Sequence, residues 1–486
     1  MLARRLALFV FACTVALHAG CNAPSTAPRC AVTPPVTTGR LTTDGVRFRD
    51  QLNRVVSLRG VNAGSRSKFA PFMPFDFTDG QFDAALAAYL DRAAGWGVDV
   101  LRVPFVWAAV EPTRGMDDEV FLKRYDALLD GAWKRGIRTV VDFHQDIYGE
   151  FYCGDGFPAW TINSPTPAPH HDCPKWYMSY AQPEIEAAFD AFWAPNSKVQ
   201  ADYVSLWQRL IARHKDRPGV IGFELFNEPS AGSADEVQWE SVTLTAFYSK
   251  MAAIVNGAAP GALVFVDPPG LNSATHQTHL RKPDGRNLVF APHYYQPLTI
   301  FDGDGRPDLV LPELTDWNKV TLAWNTPAFL GEWGAARDAS GSADLVAAHH
   351  AAFDTLGMSA TQWEYSIARE PWNAEQLDVA NPDGTPNPMV AGMLRPHAHA
   401  VAGEPLELTY DATTRHFALR YTPAPAATTA DNQKIPSITE IVLPTGAYPG
   451  GYAVAVQGAC FDDSKPNRLY LQANGPAEVT LELTAK

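Results

Sequence analysis

Between about residue 44 and residue 401, short apolar runs alternate regularly with amphipathic stretches. The runs are almost continuously apolar, which is typical of parallel strands that are buried on both faces. Eight strand–helix units in this order predict an α/β fold, the (β/α)8 TIM barrel, over residues 44–401. The eight runs are Val56–Val61, Val98–Phe105, Thr139–His144, Val220–Asn227, Leu263–Asp267, Leu288–Tyr295, Ala328–Glu332 and Ala360–Tyr365. The predicted helices are Phe82–Ala94, Val120–Arg135, Glu184–His214, Trp239–Asn256 and Ala343–Leu356.

The chain changes character after about residue 402. Short strand-like runs are separated by Pro, Gly, Asn and Asp, and no amphipathic stretch falls between them. This pattern predicts a C-terminal antiparallel β-sandwich domain over residues 402–486. The predicted strands are Leu406–Tyr410, His416–Tyr421, Thr439–Leu443, Tyr452–Val456, Arg468–Gln472 and Glu478–Leu483.

Residues 1–20 have the pattern of a signal peptide. Two arginines precede an apolar run over residues 6–17, which is too short to span a bilayer. Cys21 follows Ala19-Gly20, an arrangement that resembles a bacterial lipoprotein processing site. We therefore expect a secreted or cell-envelope protein, either anchored through a lipidated Cys21 or released as a free chain. Residues 21–43 are rich in Pro, Thr and Ala and are expected to form a tether.

The charge of the chain excludes one class of partner. The formal net charge is −14, and no basic stripe occurs in the sequence. Nucleic-acid sites need clustered positive charge, so no nucleic-acid partner is predicted. Broad electrostatic adhesion to anionic lipid is disfavoured for the same reason.

Four of the six cysteines lie outside the predicted signal and its processing site. An even number of cysteines in an oxidising compartment indicates disulfides. Cys153 and Cys173 flank a loop rich in Pro, His and Trp, and we expect them to close it as a disulfide. Whether Cys30 pairs with Cys460 stays open.

No metal site is predicted. No Cys-x-x-Cys spacing occurs, and the run 170–173 is read as ordinary loop polarity. The segment 301–308 has a calcium-loop pattern in part. Arg306 and Pro307 stand where an oxygen ligand and a sharp-turn Gly are required, so a surface loop is expected.

Two carboxylates follow strands of the predicted barrel. Glu228 closes strand 4 in Asn227-Glu228-Pro229, and Glu332 closes strand 7. Barrels of this kind build their active sites at the C-terminal ends of the strands. A retaining glycosidase needs one carboxyl group to protonate the leaving oxygen and another, about 5–5.5 Å away, to attack the sugar carbon. We predict Glu228 as the acid/base and Glu332 as the nucleophile of a retaining β-glycosidase.

Other strand ends supply polar and aromatic side chains to the same rim. Arg102 is expected to keep Glu332 ionised, and Tyr295 to orient it. Asn227 is expected to bond the sugar 2-hydroxyl, a contact that strengthens in the transition state. The remaining predicted substrate-binding residues of this set are His144 and His293, for sugar hydroxyls or the carboxylates, and Trp363, for the floor of the reacting site.

This set of rim residues resembles that of glycoside hydrolase family 5, and more narrowly that of the endoglycoceramidases, which cleave the whole oligosaccharide from ceramide. The resemblance covers roughly residues 44–486. It implies hydrolysis of the glycan–ceramide bond of a glycosphingolipid by double displacement, with no cofactor. It also adds Lys68 and Asp146 to the sugar-contacting set. The matching stretches are Leu58–Asn62 with Lys68, Asp142–Asp146, Phe189–Trp193 and the segment at Leu443-Pro444.

One departure from the endoglycoceramidase pattern leaves the substrate open. Glu364 follows Trp363 where the better-known members carry small hydroxyl residues, and it is expected to add a carboxylate near the sugar floor. Glucose and galactose both remain possible next to the aglycone. Alternative substrates are a steryl glucoside, a simple glucosyl- or galactosylceramide, or a β-glucan. A non-catalytic carbohydrate-binding lipoprotein is the alternative of a different class.

The loop after strand 1 is unusually apolar, with four Phe and one Met in residues 69–77. Such a loop opens onto the rim of the barrel. Its Phe side chains either form a landing surface for lipid tails or cap the barrel as part of the core. The sequence favours neither reading over the other.

Overall fold

The computed structural model describes residues 28–34, 37–78, 80–162, 176–296, 305–368, 375–425, 427–428, 434–435 and 437–486. It confirms the barrel, in which eight parallel strands, numbered along the chain, pair in the order 7-8-1-2-3-4-5-6. The barrel closes where strand 6 pairs with strand 7, with His293 opposite Glu332 and Phe290 opposite Ala328. The strands are Arg59–Asn62, Val100–Phe105, Arg138–Phe143, Val220–Glu224, Leu263–Val266, Leu288–Phe290 with His293–Tyr294, Phe329–Leu330 with Glu332–Trp333, and Ser359–Gln362.

The helices around the barrel follow the predicted pattern with two exceptions. The predicted helix Glu184–His214 is two helices, because Pro195 interrupts it and Ser197 caps the second by accepting a hydrogen bond from the Gln200 amide at 3.2 Å. A helix over Pro307–Trp324 was not predicted, and it begins inside the segment read as a surface loop. No helix of the described ranges is long and apolar enough to cross a bilayer. The main helices are Phe82–Gly95, Glu119–Trp133, Pro183–Trp193, Lys198–His214, Glu236–Gln238 continuing through Trp239–Leu244 and Thr245–Ala258, Pro307–Trp324 and Ser342–Leu356.

Two antiparallel sheets form the C-terminal β-sandwich domain, as predicted. Alternate side chains of both sheets, such as Phe417, Leu469 and Leu481, are buried between them. One sheet contains, in spatial order, Thr42–Asp44, Arg47–Arg49, Val55–Val56, His397–Val401, Ile438–Val442, Arg468–Ala473 and Ala459–Asp462. The other contains Gly403–Asp411, His416–Pro423, Val479–Ala485 and Tyr452–Gln457.

Strands from the predicted barrel region 44–401 also belong to a sheet of the sandwich, which was predicted over 402–486. His397–Val401 pairs with Ile438–Val442 in the sandwich, although it precedes residue 402. Val55–Val56, just before barrel strand 1, pairs with the other edge of His397–Val401. Strand pairing across more than 300 residues decides this arrangement, and local patterning cannot show it.

The tether prediction is wrong for the described part of residues 21–43. Cys30 forms a disulfide with Cys460, and Arg29 forms an ion pair with Asp463 at 2.7 Å. Val32 is buried against the sandwich. The composition of the segment is that of a linker, but a disulfide and one apolar anchor fix it to the sheet.

The other cysteine and leader predictions lie partly or wholly outside the described residues. Cys153 is disulfide-bonded, whereas its predicted partner Cys173 is not among the described residues. The predicted signal peptide 1–20 and the processing site at Cys21 also lie outside them.

The sandwich packs against the N-terminal end of the barrel. Asp99, which precedes barrel strand 2, accepts hydrogen bonds from the Arg59 amide at 2.7 Å and from His397 at 2.9 Å and His399 at 2.6 Å. Both histidines belong to the sandwich strand His397–Val401. The C-terminal ends of the barrel strands therefore face away from the sandwich.

The apolar loop after strand 1 is core packing rather than a lipid-landing surface. Phe75 is buried, with its ring centroid 5.3 Å from that of Tyr89. Phe72 meets Phe121 edge to face at 6.0 Å. Local composition could not separate the two readings, because the rings are covered by Tyr89 and Phe121, which lie outside the loop on the helices Phe82–Gly95 and Glu119–Trp133.

We expect Cys30→Ser to destabilise the protein and to release its N-terminal segment. A disulfide typically contributes about 2–4 kcal/mol by restricting the unfolded chain. The variant should therefore melt at a lower temperature, and trypsin should cleave at Arg29 faster than in the wild type. Cys460→Ser should behave in the same way. Unchanged melting and proteolysis in both variants would show that the bond holds nothing in place.

Candidate active site

The buried guanidinium of Arg102, on barrel strand 2, lies at the centre of the C-terminal rim. Its Nε and Nη2 donate to the two carboxylate oxygens of Glu224, each at 2.8 Å. Its Nη1 donates to Glu332 at 2.7 Å. Burial opposes the positive charge, but the surrounding carboxylates raise the pKa of Arg102 above its usual range. The other groups in contact with the guanidinium are Asn62 at 3.0 Å, Asn227 at 2.7 Å and Asp142 at 3.1 Å.

Glu332 lies in this cationic environment at the end of strand 7. One carboxylate oxygen accepts from Arg102, and the other accepts from the Tyr295 hydroxyl at 2.9 Å. Burial by itself disfavours the ionised form, but the positive charges of His293 and Arg102 outweigh it and lower the pKa of Glu332. Glu332 is thus held ionised, with both oxygens fixed in orientation, as a nucleophile must be.

Glu228 follows strand 4 and is the more exposed of the two carboxylates. Its backbone adopts φ 42°, and its amide donates to Asp267 at 2.8 Å, which turns the side chain toward the rim. His293 Nδ1 lies 2.7 Å from one oxygen of Glu228. One oxygen of each carboxylate, Glu228 and Glu332, lies within 4.8 Å of the other. This spacing suits a direct attack on the sugar carbon rather than activation of a water between more distant carboxylates.

His293, on the extension of strand 6, connects the two carboxylates. Its Nδ1 is 2.7 Å from Glu228 and 3.6 Å from Glu332, and its Nε2 is 3.4 Å from Asp267. Burial opposes protonation, but these three carboxylates raise the pKa of His293 to about 10. The imidazolium thus carries a positive charge between the acid/base and the nucleophile at neutral pH.

A second group of predicted residues forms one wall of the site. Lys68 is paired with Asp146, and its ammonium lies 4.5 Å from the centroid of the Trp363 ring. His144 stacks on Trp363 with centroids 5.2 Å apart, and its Nδ1 donates to the Asp142 carboxylate at 3.0 Å. Asp142 also contacts Arg102, so all ten residues predicted for the site lie on one connected rim.

Glu364 does not point toward the sugar floor as expected. Its carboxylate accepts from the Ser65 amide at 2.8 Å and the Ser366 hydroxyl at 2.6 Å, beneath the loop that follows strand 1. Burial raises the pKa of Glu364 to about 8. The carboxylate beside the floor is instead that of Glu375, which accepts from Trp363 Nε1 at 2.9 Å.

Several groups of the site were not predicted from the sequence. Asn62, Glu224 and Asp142 bind Arg102 from inside strands 1, 4 and 3, where single polar residues interrupt apolar runs. Those interruptions were the available signal, because a buried polar group needs a partner. Asp267 follows strand 5 and accepts from the Glu228 amide, and its place after an apolar run gave the same signal. Glu375 lies in a loop beyond strand 8, and no local pattern marks it.

Comparison with known proteins assigns the family. The model of "Cellulase (glycosyl hydrolase family 5)" matches residues 63–369, and that of "Glycoside hydrolase family 5 C-terminal domain" matches residues 395–483. The chain belongs to glycoside hydrolase family 5. It is therefore an O-glycosyl hydrolase, and the second match begins near the sandwich strand His397–Val401.

Individual relatives narrow the resemblance. Endoglycoceramidase I of Rhodococcus hoagii is 28% identical over 475 residues, which are 92% of this chain and 88% of that protein. Endo-glycoceramidase II from Rhodococcus sp., in its ganglioside GM3 complex, is 26% identical with a TM-score of 0.74, over 92% of this chain and 100% of that one. Cryptococcus neoformans sterylglucosidase 1 has a TM-score of 0.74 at 15% identity, over 93% and 97% of the two chains, which is a likeness of fold alone.

Three clusters of the described site have the spacing of cation ligands. They are Glu228 with His293 and Glu332, Glu224 with Asp267 and His293, and His144 with Asp146 and Asp155. Each adjoins a cation of the protein itself, which is Arg102 for the first two clusters and Lys68 for the third. Carboxylates of all three clusters thus pair with positive side chains of the protein itself.

We expect His293→Gln to move the acidic limb of the pH profile to higher pH. In the wild type the positive charge of His293 lowers the pKa of Glu332, so its removal raises that pKa. An opposite charge at this distance shifts a carboxyl pKa by about one pH unit or more. The profile of kcat/KM on a nitrophenyl glycoside reports the ionisation of the free enzyme. An acidic limb at the wild-type position would contradict this coupling.

Proposed function

We propose that this enzyme hydrolyses the bond between glycan and ceramide in glycosphingolipids, with retention of configuration. The observation that carries the proposal is the similarity to endoglycoceramidase I, which extends over nearly the whole of both chains. Solved structures of endo-glycoceramidase II with similar coverage include a GM3 complex and a lactosyl-enzyme intermediate. The short carboxylate separation supports a covalent route.

In the proposed first step, an oxygen of Glu332 attacks the anomeric carbon as the bond from that carbon to the ceramide oxygen breaks. Glu228 transfers its proton to the departing oxygen, which leaves as the hydroxyl of ceramide. In the second step Glu228, now a carboxylate, takes a proton from water, and the water oxygen attacks the same carbon. The ester to Glu332 breaks, and the free glycan leaves with its original configuration.

The surrounding groups suit these roles. Arg102 and Tyr295 fix the oxygens of Glu332, and His293 is placed to stabilise charge on either carboxylate. The Asn227 oxygen accepts from Arg102, and its amide nitrogen donates to the Gln145 carbonyl at 3.1 Å. That nitrogen carries a second hydrogen, which we assign to the sugar 2-hydroxyl.

Simple glucosylceramide is the second candidate substrate. A glucosylceramidase of Aspergillus fumigatus is 32% identical over 139 residues, which are 25% of this chain. The wild-type enzyme should be incubated with ganglioside, lactosylceramide, glucosylceramide, galactosylceramide, a steryl glucoside and carboxymethyl cellulose. Release of an intact oligosaccharide together with ceramide supports the endoglycosidase. Release of glucose alone, from glucosylceramide or the steryl glucoside, would replace it with the corresponding glucosidase.

We expect Glu332→Gln to abolish turnover almost wholly while the melting temperature stays near that of the wild type. Glu228→Ala should lose roughly 10²–10⁴-fold on substrates with a poor leaving group, because proton transfer is then needed. The same variant should retain much more activity on a dinitrophenyl glycoside. Azide should rescue Glu332→Gly as a glycosyl azide of inverted configuration. Wild-type rates in Glu332→Gln would overturn the assignment.

We further propose that the enzyme acts outside the cytoplasm, with Cys21 as a lipid anchor. The disulfide between Cys30 and Cys460 supports an oxidising compartment, because such bonds are rare in reducing ones. Mass spectrometry of the N-terminus of the mature protein tests the anchor. A lipid-modified Cys21 is expected, and an unmodified mature N-terminus at another residue would show free secretion instead.

A further inference from the structure

Exposed large apolar side chains are concentrated at one end of the barrel. Of the ten exposed large apolar residues in the described part of the chain, all but Leu322 and Leu406 lie after the C-terminal end of a barrel strand, either in the segment before the next main helix or in the first two turns of that helix. Single exposed apolar residues are normal on a protein surface, but a random scatter would not select one end. Examples are Met116 after strand 2, Met178 after strand 3, Val237 and Val242 after strand 4, and Leu271 after strand 5.

This apolar end is the catalytic end. The C-terminal ends of the strands carry Glu228 and Glu332, and the sandwich covers the opposite end through Asp99 and its two histidine partners. Eight of the ten exposed apolar residues therefore lie toward the end of the barrel that carries the active site, which the second domain leaves uncovered.

Leu271 lies on the side of the mouth where the leaving group departs. The preceding residue, Gly270, packs so closely on the acid/base that a Cβ atom there would lie 2.6 Å from a Glu228 carboxylate oxygen. The acid/base protonates the leaving oxygen, so the aglycone must lie next to Glu228. Leu271 is 68% exposed beside this exit.

Val237 lies in the helix that follows strand 4, which contacts the loop that carries Leu271. Asn272, next to Leu271, donates to the Glu240 carboxylate at 3.1 Å. Glu240 lies three residues after Val237 in the helix that follows strand 4. The buried Glu240 also accepts from the His279 amide at 2.8 Å, so it holds the loop after strand 5 against this helix. Val237, 49% exposed, and Leu271 thus lie on two segments that these hydrogen bonds join.

We propose that this catalytic face docks onto the surface of a bilayer of zwitterionic lipid, with Leu271 and Val237 entering the interface beside the aglycone exit. The inference rests on the proposed function, because a ceramide glycoside presents its glycan at the surface of a membrane. Docking in this orientation points the mouth of the site at the glycan while the ceramide stays in lipid. The net charge of −14 gives no attraction to anionic headgroups, so apolar contact must supply the affinity.

A matched pair of double variants tests the face. Leu271→Ser with Val237→Ser alters the catalytic end, and Leu322→Ser with Leu406→Ser alters the other surfaces. Leu322 lies near the far end of the helix Pro307–Trp324 and is 61% exposed, and Leu406 lies in the sandwich and is 46% exposed. The two pairs therefore match in exposure. All are made in the full chain with Cys21→Ser, so that no lipid anchor contributes.

Binding to phosphatidylcholine vesicles is measured by co-sedimentation, without glycolipid. The Leu271/Val237 pair should bind about tenfold more weakly than the parent, which corresponds to about 1.4 kcal/mol. Its kcat/KM on glycosylceramide in the same vesicles should fall in parallel, and hydrolysis of a soluble aryl glycoside should not change. The Leu322/Leu406 pair should equal the parent throughout.

Equal vesicle binding by both pairs, or no binding by the parent, would overturn the docking face. A different result would refute the proposed substrate. A parent that binds vesicles through Leu271 and Val237 but releases no ceramide from any glycosylceramide, in vesicles or in detergent, would refute the substrate and leave the docking face intact.

Discussion

A single buried guanidinium, that of Arg102, holds the catalytic end of this barrel together. It contacts side chains from strands 1, 3, 4 and 7, so its position fixes those strand ends relative to one another. A buried cation is tolerated only when it is paired and hydrogen-bonded. Here Glu224 provides a bidentate partner, and Glu332 provides a partner that also takes part in the proposed chemistry. The same contacts thus close the fold and keep the nucleophile ionised.

The charged groups of the site shift the pKa values of two acidic residues, Glu332 and Asp267, in opposite directions. His293 and Arg102 lower the pKa of Glu332. Burial and neighbouring carboxylates raise the pKa of Asp267, despite the opposing charge of His293. Asp267 binds the Glu228 amide, which fixes the backbone at the position of the acid/base. Of these two carboxyl groups, Glu332 is therefore suited to act as the nucleophile, whereas Asp267 holds the backbone at Glu228.

The two ends of the barrel are used for different purposes. At the N-terminal end, Asp99 joins barrel and sandwich through two histidines, and strands from both ends of the chain share one sheet. This leaves the C-terminal end free for the substrate. The sandwich thus covers the end of the barrel opposite the catalytic carboxylates. The aromatic loop after strand 1, with Phe72 and Phe75, seals the barrel core near the rim.

The sequence by itself determined the periodic features of this protein. Continuous apolar runs specified the eight strands, and residues at their C-terminal ends, such as Glu228 and Glu332, had to converge because parallel strands end at one edge. The orientation and partners of side chains were decided only in three dimensions. The Glu364 carboxylate lies beneath the loop after strand 1, where it accepts from the Ser65 amide. Glu375, which no local pattern marks, accepts from Trp363 instead. The physical reason is that strand and helix periodicity is set by neighbours along the chain, whereas burial, charge pairing and disulfide partners depend on residues far away in sequence.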